Sequence, residues 1–154
     1  MGEWVDLYGY IISFTMLILP YVGPKMYFGQ YSISSTVCQS STKLHMDVTD
    51  AYNEMLYVSK CPDGTPGCAL WHVWDAADAV LLRKFFRDQC GLTGPGDAIH
   101  TQAIHVTPEL LTRIFKQYGI RPYTIRQYPG DLVFIPAYCA HEVCPSILFT
   151  PWHN

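Results

Sequence analysis

Charge is what this chain has least of. Asp, Glu, Lys and Arg make up only 15% of its 154 residues, against about 25% in ordinary soluble domains. With a net charge of −3 and no cluster of Lys or Arg, it lacks the basic field of a nucleic-acid-binding domain, so no direct nucleic-acid binding is expected. The six cysteines (Cys38, Cys61, Cys68, Cys90, Cys139, Cys144) contain no Cys-x-x-Cys pair, which removes zinc knuckles and dithiol redox motifs. They are expected as mostly buried thiols of a reducing compartment rather than as a disulfide framework. The apolar run from Leu7 to Val22 has no basic residue ahead of it, which makes it a poor secretory signal. Pro20 interrupts it short of the roughly 20 residues that a spanning helix needs. It is expected to be a buried strand or core segment, and membrane association is not expected.

Apolar residues are plentiful. They form 49% of the chain, with 11 Tyr, 7 Phe and 4 Trp, ample for one packed domain. Turn residues punctuate the sequence from Gly23 onward: "VGPKMYFGQY" reads as a turn and a strand, "SISSTVCQSST" as a polar loop, "CPDGTPG" as a second loop. The loop at Cys61–Gly67 separates "NEMLYVSK" from a second apolar strand, "CALWHVW". Two helices follow. One is capped by Asp75 and stopped by Gly91, with Val80, Leu81, Phe85 and Phe86 as its apolar stripe. The other is capped by Thr107, opened by Pro108 and closed by Gly119, with Leu110, Leu111, Ile114, Phe115 and Tyr118 at helical spacing. The chain then returns to short strands, "YTIRQY", "LVFIP" and "HEV". Strands joined by tight turns, with helices inserted, suggest an antiparallel sandwich or small barrel.

Within "STKLHMDVTDAYNEMLYV", His45 and Asp47 stand two apart, so on an extended strand both point to one face. Alone, this His-x-Asp is as well explained by polar residues ahead of a buried strand. A third donor lies in "YPGDLVFIPAYCAHEV". Gly130 and Asp131 make a turn, Pro136 stops the strand "LVFI", and the next turn delivers His141 onto a new strand. Two imidazoles and a carboxylate on one face match the 2-His-1-carboxylate set of non-haem iron oxygenases, which leaves three positions of an octahedral metal open. The other histidines have plainer readings. His72 is a satisfied core or rim residue, His100 and His105 are spaced wrongly for one helical face, and His153 sits at a terminus.

The stretches "GPKMY", "TKLHMDVTDAYNEMLYV", "GCALWHVWDAAD" and "YGI…YTIRQYPGDLVFIPAYCAHEVC" resemble the JmjC domains of the hairless-related histone H3 lysine 9 demethylases. The resemblance covers most of Gly23 to Cys144 and implies a mainly β fold with inserted helices, the double-stranded β-helix or cupin-like jelly roll. It implies a nuclear chromatin regulator that uses Fe(II) and 2-oxoglutarate to activate dioxygen. Such enzymes hydroxylate an N-methyl group of a methylated histone tail, which then leaves as formaldehyde. His45, Asp47 and His141 match the iron ligands. Thr42 matches a hydroxyl that holds the cosubstrate carboxylate, and Lys60 is the lysine nearest the position of its cationic partner. Asn53 and Tyr27 are candidates for lining the pocket.

Some positions depart from the family. Lys43 stands where many relatives have Asn, the insert between Asp78 and Tyr118 is short, and "PSILFTPWHN" replaces the strand that follows in relatives. Residues 1–22 are therefore expected as a separate apolar segment and 23–154 as a JmjC domain incomplete at its C-terminal end. The strand of His141 should then lack one neighbour, giving a poor enzyme. The rival readings are a catalytically degenerate chromatin scaffold and a hydroxylase of protein side chains.

Overall fold

A computed structural model describes residues 8–17, 25–32, 42–61, 63–90 and 97–146. The polar stretch around Cys38, the helix stop expected at Gly91, and His153 lie outside them. Among the described residues, β1 (Tyr8–Leu17), β2 (Lys25–Ser32), β4 (Ala51–Val58) and β7 (Leu132–Ile135) form one sheet in the order β2-β1-β4-β7. The second sheet is made by β3 (Thr42–His45), β5 (Cys68–Val73), β6 (Tyr123–Gln127) and β8 (His141–Ser146), in the order β3-β8-β5-β6. Every pairing is antiparallel. The arrangement is the expected double-stranded β-helix.

The burial pattern shows how the layers stack. Along β4, Ala51, Asn53 and Met55 point inward while Tyr52, Glu54 and Leu56 face out, the alternation of a sheet with one covered face. Ala51, Met55, Val133 and Ile135 of one sheet pack against Ala69, Trp71, Val73 and Val143 of the other, closing the barrel interior. In β5, "CALWHV" is buried at every position. Its inward side chains join that core, and its outward ones meet the helix layer. A second core lies there, built from Leu44, Met46, Trp74, Leu82, Phe85, Phe86, Ile104 and Ile114.

Both helices form where their caps predict. The Asp75 carboxylate accepts from Ala77 N at 3.1 Å and opens a short 3-10 turn, Ala76–Asp78, which runs into α1 (Ala79–Cys90). The stripe of α1 differs from the expected one. Val80 is 70% exposed and Leu81 37%, while Ala79, Leu82, Phe85 and Phe86 are buried. At 3.6 residues per turn, Leu82 stacks one turn before Phe86 and shares its face, whereas Val80 falls on the opposite side. In α2 (Pro108–Tyr118), Thr107 Oγ1 accepts from Leu110 N at 3.3 Å, and Gly119 ends the helix at φ 72°, in the left-handed region that glycine enters without strain. Ile114 anchors α2 in the core. Phe115 stays 40% exposed, with the Arg121 guanidinium 3.8 Å above its ring.

The expectation that the strand of His141 lacks a neighbour is not met. β8 pairs with β3 on one side and with β5 on the other, so its backbone groups face partners in both directions. The apolar run near the N-terminus does supply a strand, but to the other sheet: β1 lies between β2 and β4. Cys68, Cys139 and Cys144 are buried thiols and Cys61 is half-buried. No helix of the described residues is long and apolar enough to cross a membrane.

A proline inside β1 tests its position. Phe14 pairs with both Met26 and Glu54, so Phe14→Pro removes a donor that an adjacent strand uses. The expected loss is about 1–3 kcal/mol, read as a lower midpoint in urea denaturation. An unchanged midpoint would mean that β1 is not an interior strand.

Candidate metal centre

The sequence around His45 sorts its side chains by parity. Leu44 and Met46 enter the helix-side core, which turns His45 and Asp47 the other way, toward the mouth of the barrel. His45 lies directly opposite His141 on β8, while Thr42 lies opposite Val143. Four residues of β3 thus span three of β8, and this bulge brings Thr42 and His45 to one face although their spacing is odd.

The turns on either side of β7 deliver His141. Gly130 adopts φ 89°, Asp131 Oδ2 accepts from Tyr128 N at 2.8 Å, and Gly130 N donates to Met55 O at 2.8 Å, which registers the turn on β4. After Pro136, Ala137 N donates to Asp50 Oδ1 at 2.8 Å and Tyr138 N donates to Asp47 O, also at 2.8 Å. These two bonds lace the turn before His141 to the segment after His45. Tyr138 takes φ 64° to make them, a conformation that costs a non-glycine residue about 1–2 kcal/mol.

His45, Asp47 and His141 are brought together. Their donor atoms all lie within 4.8 Å of one another. The two imidazole centroids are 4.1 Å apart, and His141 Nε2 is 3.8 Å from Asp47 Oδ2. Each ring is fixed by its other nitrogen: His45 Nδ1 donates to Lys43 O at 2.9 Å and His141 Nδ1 to Cys139 O at 3.0 Å. A carbonyl oxygen only accepts, so the proton sits on Nδ1 and leaves the Nε2 lone pair available. Burial, helped by the neighbouring His45, lowers the pKa of His141 to about 4. It is neutral at pH 7, the form a metal ion binds.

Behind His141 lies a buried polar chain that the sequence did not reveal. The Trp71 ring stacks on the His141 ring at 6.0 Å, and its Nε1 donates to Gln127 Oε1 at 2.8 Å. Gln127 Nε2 reaches Asn53 O at 2.8 Å and Asn53 Oδ1 at 3.1 Å, and Asn53 Nδ2 donates to Ser13 Oγ of β1 at 3.2 Å. Asn53 is thus an interior residue, held within this chain. Gln127 carried no signal, because the rest of β6 is exposed. Thr42 is half-buried on the same face as His45. Lys60 is exposed and follows the end of β4 by two residues. Tyr27 belongs to β2, opposite Ser13, but its side chain lies outside the described part. His72 is buried with Nδ1 2.9 Å from Glu142 Oε1, in keeping with the core reading, and His100 is exposed.

Residues 32–146 match the family described as JmjC domain, hydroxylase. The chain belongs to the JmjC domain family. This JmjC domain is 34% identical over 168 residues to lysine-specific demethylase 3 of Drosophila melanogaster, a match covering 83% of this chain and 19% of that protein. It is 32% identical over 162 residues to lysine-specific demethylase 3A of Homo sapiens, with 82% and 12% covered, and equally so to lysine-specific demethylase 3A of Gallus gallus. The chain therefore spans about a fifth or less of the length of these curated relatives.

The polar chain behind His141 yields a stability prediction. Gln127→Leu leaves Trp71 Nε1 without its buried acceptor and removes the Gln127 contacts of Asn53. An orphaned buried group costs about 1–3 kcal/mol, so the urea midpoint should fall well beyond the effect of a surface change such as Lys84→Gln. Equal midpoints would show that this chain does not hold the interior.

Proposed function

We propose that this domain is the catalytic unit of an Fe(II)- and 2-oxoglutarate-dependent lysine demethylase, with His45, Asp47 and His141 as the iron ligands. The observation that carries the reading is the pair of imidazoles whose Nδ1 protons are committed to carbonyl oxygens beside one carboxylate. This donor set fits Fe(II): nitrogen and oxygen only, with one facial half of an octahedron left open. Bound there with 2-oxoglutarate, iron would supply the activation of dioxygen that hydroxylates an N-methyl carbon, and formaldehyde would then depart.

The chain's own groups do the rest. Lys43 O and Cys139 O orient the two rings, and the Asp47 carboxylate offsets part of the metal's charge. Trp71 stacks against the His141 ring, and the closed barrel core behind it keeps that side dry. On the resemblance, the Thr42 hydroxyl would hold the cosubstrate carboxylate and Tyr27 would line its pocket. Asn53 shapes the pocket wall through its bonds to Gln127 and Ser13. Lys60, exposed just past the end of β4, is the proposed cationic partner of the cosubstrate carboxylate.

The substrate class follows from the relatives, which are named as lysine-specific demethylases. The finer assignment rests on the hairless-related resemblance: a methylated lysine 9 on a histone H3 tail, met in the nucleus alongside other chromatin proteins. The scaffold reading is disfavoured by imidazoles already held in the metal-binding tautomer. The reading of a side-chain hydroxylase shares the iron chemistry and differs only in substrate.

His45→Ala and His141→Ala should each weaken Fe(II) binding by more than about a hundredfold, the upper range for losing even an outer-sphere partner. His100→Ala should leave it unchanged; equal losses in all three, by equilibrium dialysis, would mean the ligands are misassigned. Lys60→Ala should raise the 2-oxoglutarate requirement about tenfold, or 1.4 kcal/mol, and an unchanged requirement would move the anchor to another residue. The reaction itself is tested by formaldehyde release from a histone H3 peptide dimethylated at lysine 9. Turnover is expected. Iron and cosubstrate binding without release from any methyl-lysine peptide would favour the scaffold or hydroxylase instead.

A further inference from the structure

β8 carries a second group of donors on its reverse face. His141 and Val143 point into the barrel, so Glu142 and Cys144 point toward the helix layer. Glu142 is wholly buried and Cys144 is 2% exposed. Across the strand pair, Glu142 lies opposite His72 and Cys144 opposite Leu70. Over them runs the segment that leads into α2. It is tied down by Leu44 N donating to Ile104 O at 3.0 Å and by Val106 N donating to Glu142 Oε2 at 3.1 Å. Between those two bonds, His105 brings its Nδ1 to 3.8 Å from the same Oε2. Donor atoms of His105, Glu142 and Cys144 all lie within 4.8 Å of one another.

The geometry points to a second metal site at His105, Glu142 and Cys144, back to back with the iron site and selective for Zn(II). At 3.8 Å, the His105–Glu142 separation is too long for a hydrogen bond. It equals the 3.8 Å between His141 Nε2 and Asp47 Oδ2 in the first site. Two donors on one tetrahedral zinc are roughly 3.3–3.6 Å apart, so His105 and Glu142 need only a small contraction, and Cys144 Sγ, within 4.8 Å of both, would close the set. A thiolate joined to an imidazole and a carboxylate favours zinc, whereas the sulfur-free triad favours iron, so each site selects its own metal. His72, bonded to the other Glu142 oxygen, is a positioning residue of the kind that orients a ligating group. His105, whose side chain is 24% exposed, is the side from which an ion enters. A metal here would fasten the 104–106 segment to the strand that presents His141.

Cobalt(II) added to the purified, metal-stripped full chain reads the two sites separately, because only the second has a thiolate. Wild type should bind two equivalents and show a thiolate-to-cobalt charge-transfer band in the near ultraviolet. The band should vanish in Cys144→Ser, persist in Cys61→Ser, and persist in His45→Ala, where the triad is broken. The last variant makes failure of this site distinguishable from failure of the iron assignment. His105→Ala, at a partly exposed position, should weaken binding at the thiolate site by about tenfold or more. A wild type without the band, a band that survives Cys144→Ser, or unchanged affinity in His105→Ala would each overturn the proposal.

Discussion

β8 has to serve two cores at once. It is flanked by β5 along its length and by β3 at His141 and Val143, and successive side chains must alternate between the barrel interior and the helix layer. His141 faces the mouth beside His45, while Glu142, one residue on, is sealed beneath the 104–106 segment. A slip of one residue in its pairing would bury Glu142 in the interior and push His141 out against the helices. The register is held from both sides by apolar positions that fit only one face: Val143 with Trp71 and Val73 inside, Leu44 and Ile104 outside.

The rest of the molecule can be read as support for that register. β7 and the turns around it tie His141 to β4 and to the segment after Asp47. β1 extends the same support from farther away, because Ser13 ends the hydrogen-bonded chain that runs through Asn53 and Gln127 to Trp71. The stretch near the N-terminus is thus connected to the ring that stacks on His141, through polar contacts in a buried interior where each unmet partner is costly.

Much of this was legible in the sequence, for identifiable reasons. The period-two spacing of His45 and Asp47, the Gly130-Asp131 turn and Pro136 each have a local geometric meaning, and the structure places them as those meanings require. The caps of α2 are equally local. What could not be read depends on pairing between distant segments. The neighbours of β8 are not legible in the sequence, because the position of β3 against it is a tertiary fact. Val80 and Leu81 share apolar spacing with Phe85 and Phe86, but local spacing leaves the facing side of α1 open, and the sheet beneath chooses it. Gln127 and Glu142 gave no sign at all, since a polar residue in a strand looks solvent-facing until its partners are known.

The central claim is that two imidazoles with fixed tautomers and one carboxylate form an iron site that also admits 2-oxoglutarate. Its most direct test is an anaerobic titration of Fe(II) into the chain in the presence of 2-oxoglutarate, followed in the visible range. A weak charge-transfer band of the iron–oxoglutarate chelate should appear, saturate at one equivalent, and be missing in His141→Ala. Iron bound without that band, or a band of equal strength in His141→Ala, would contradict the account.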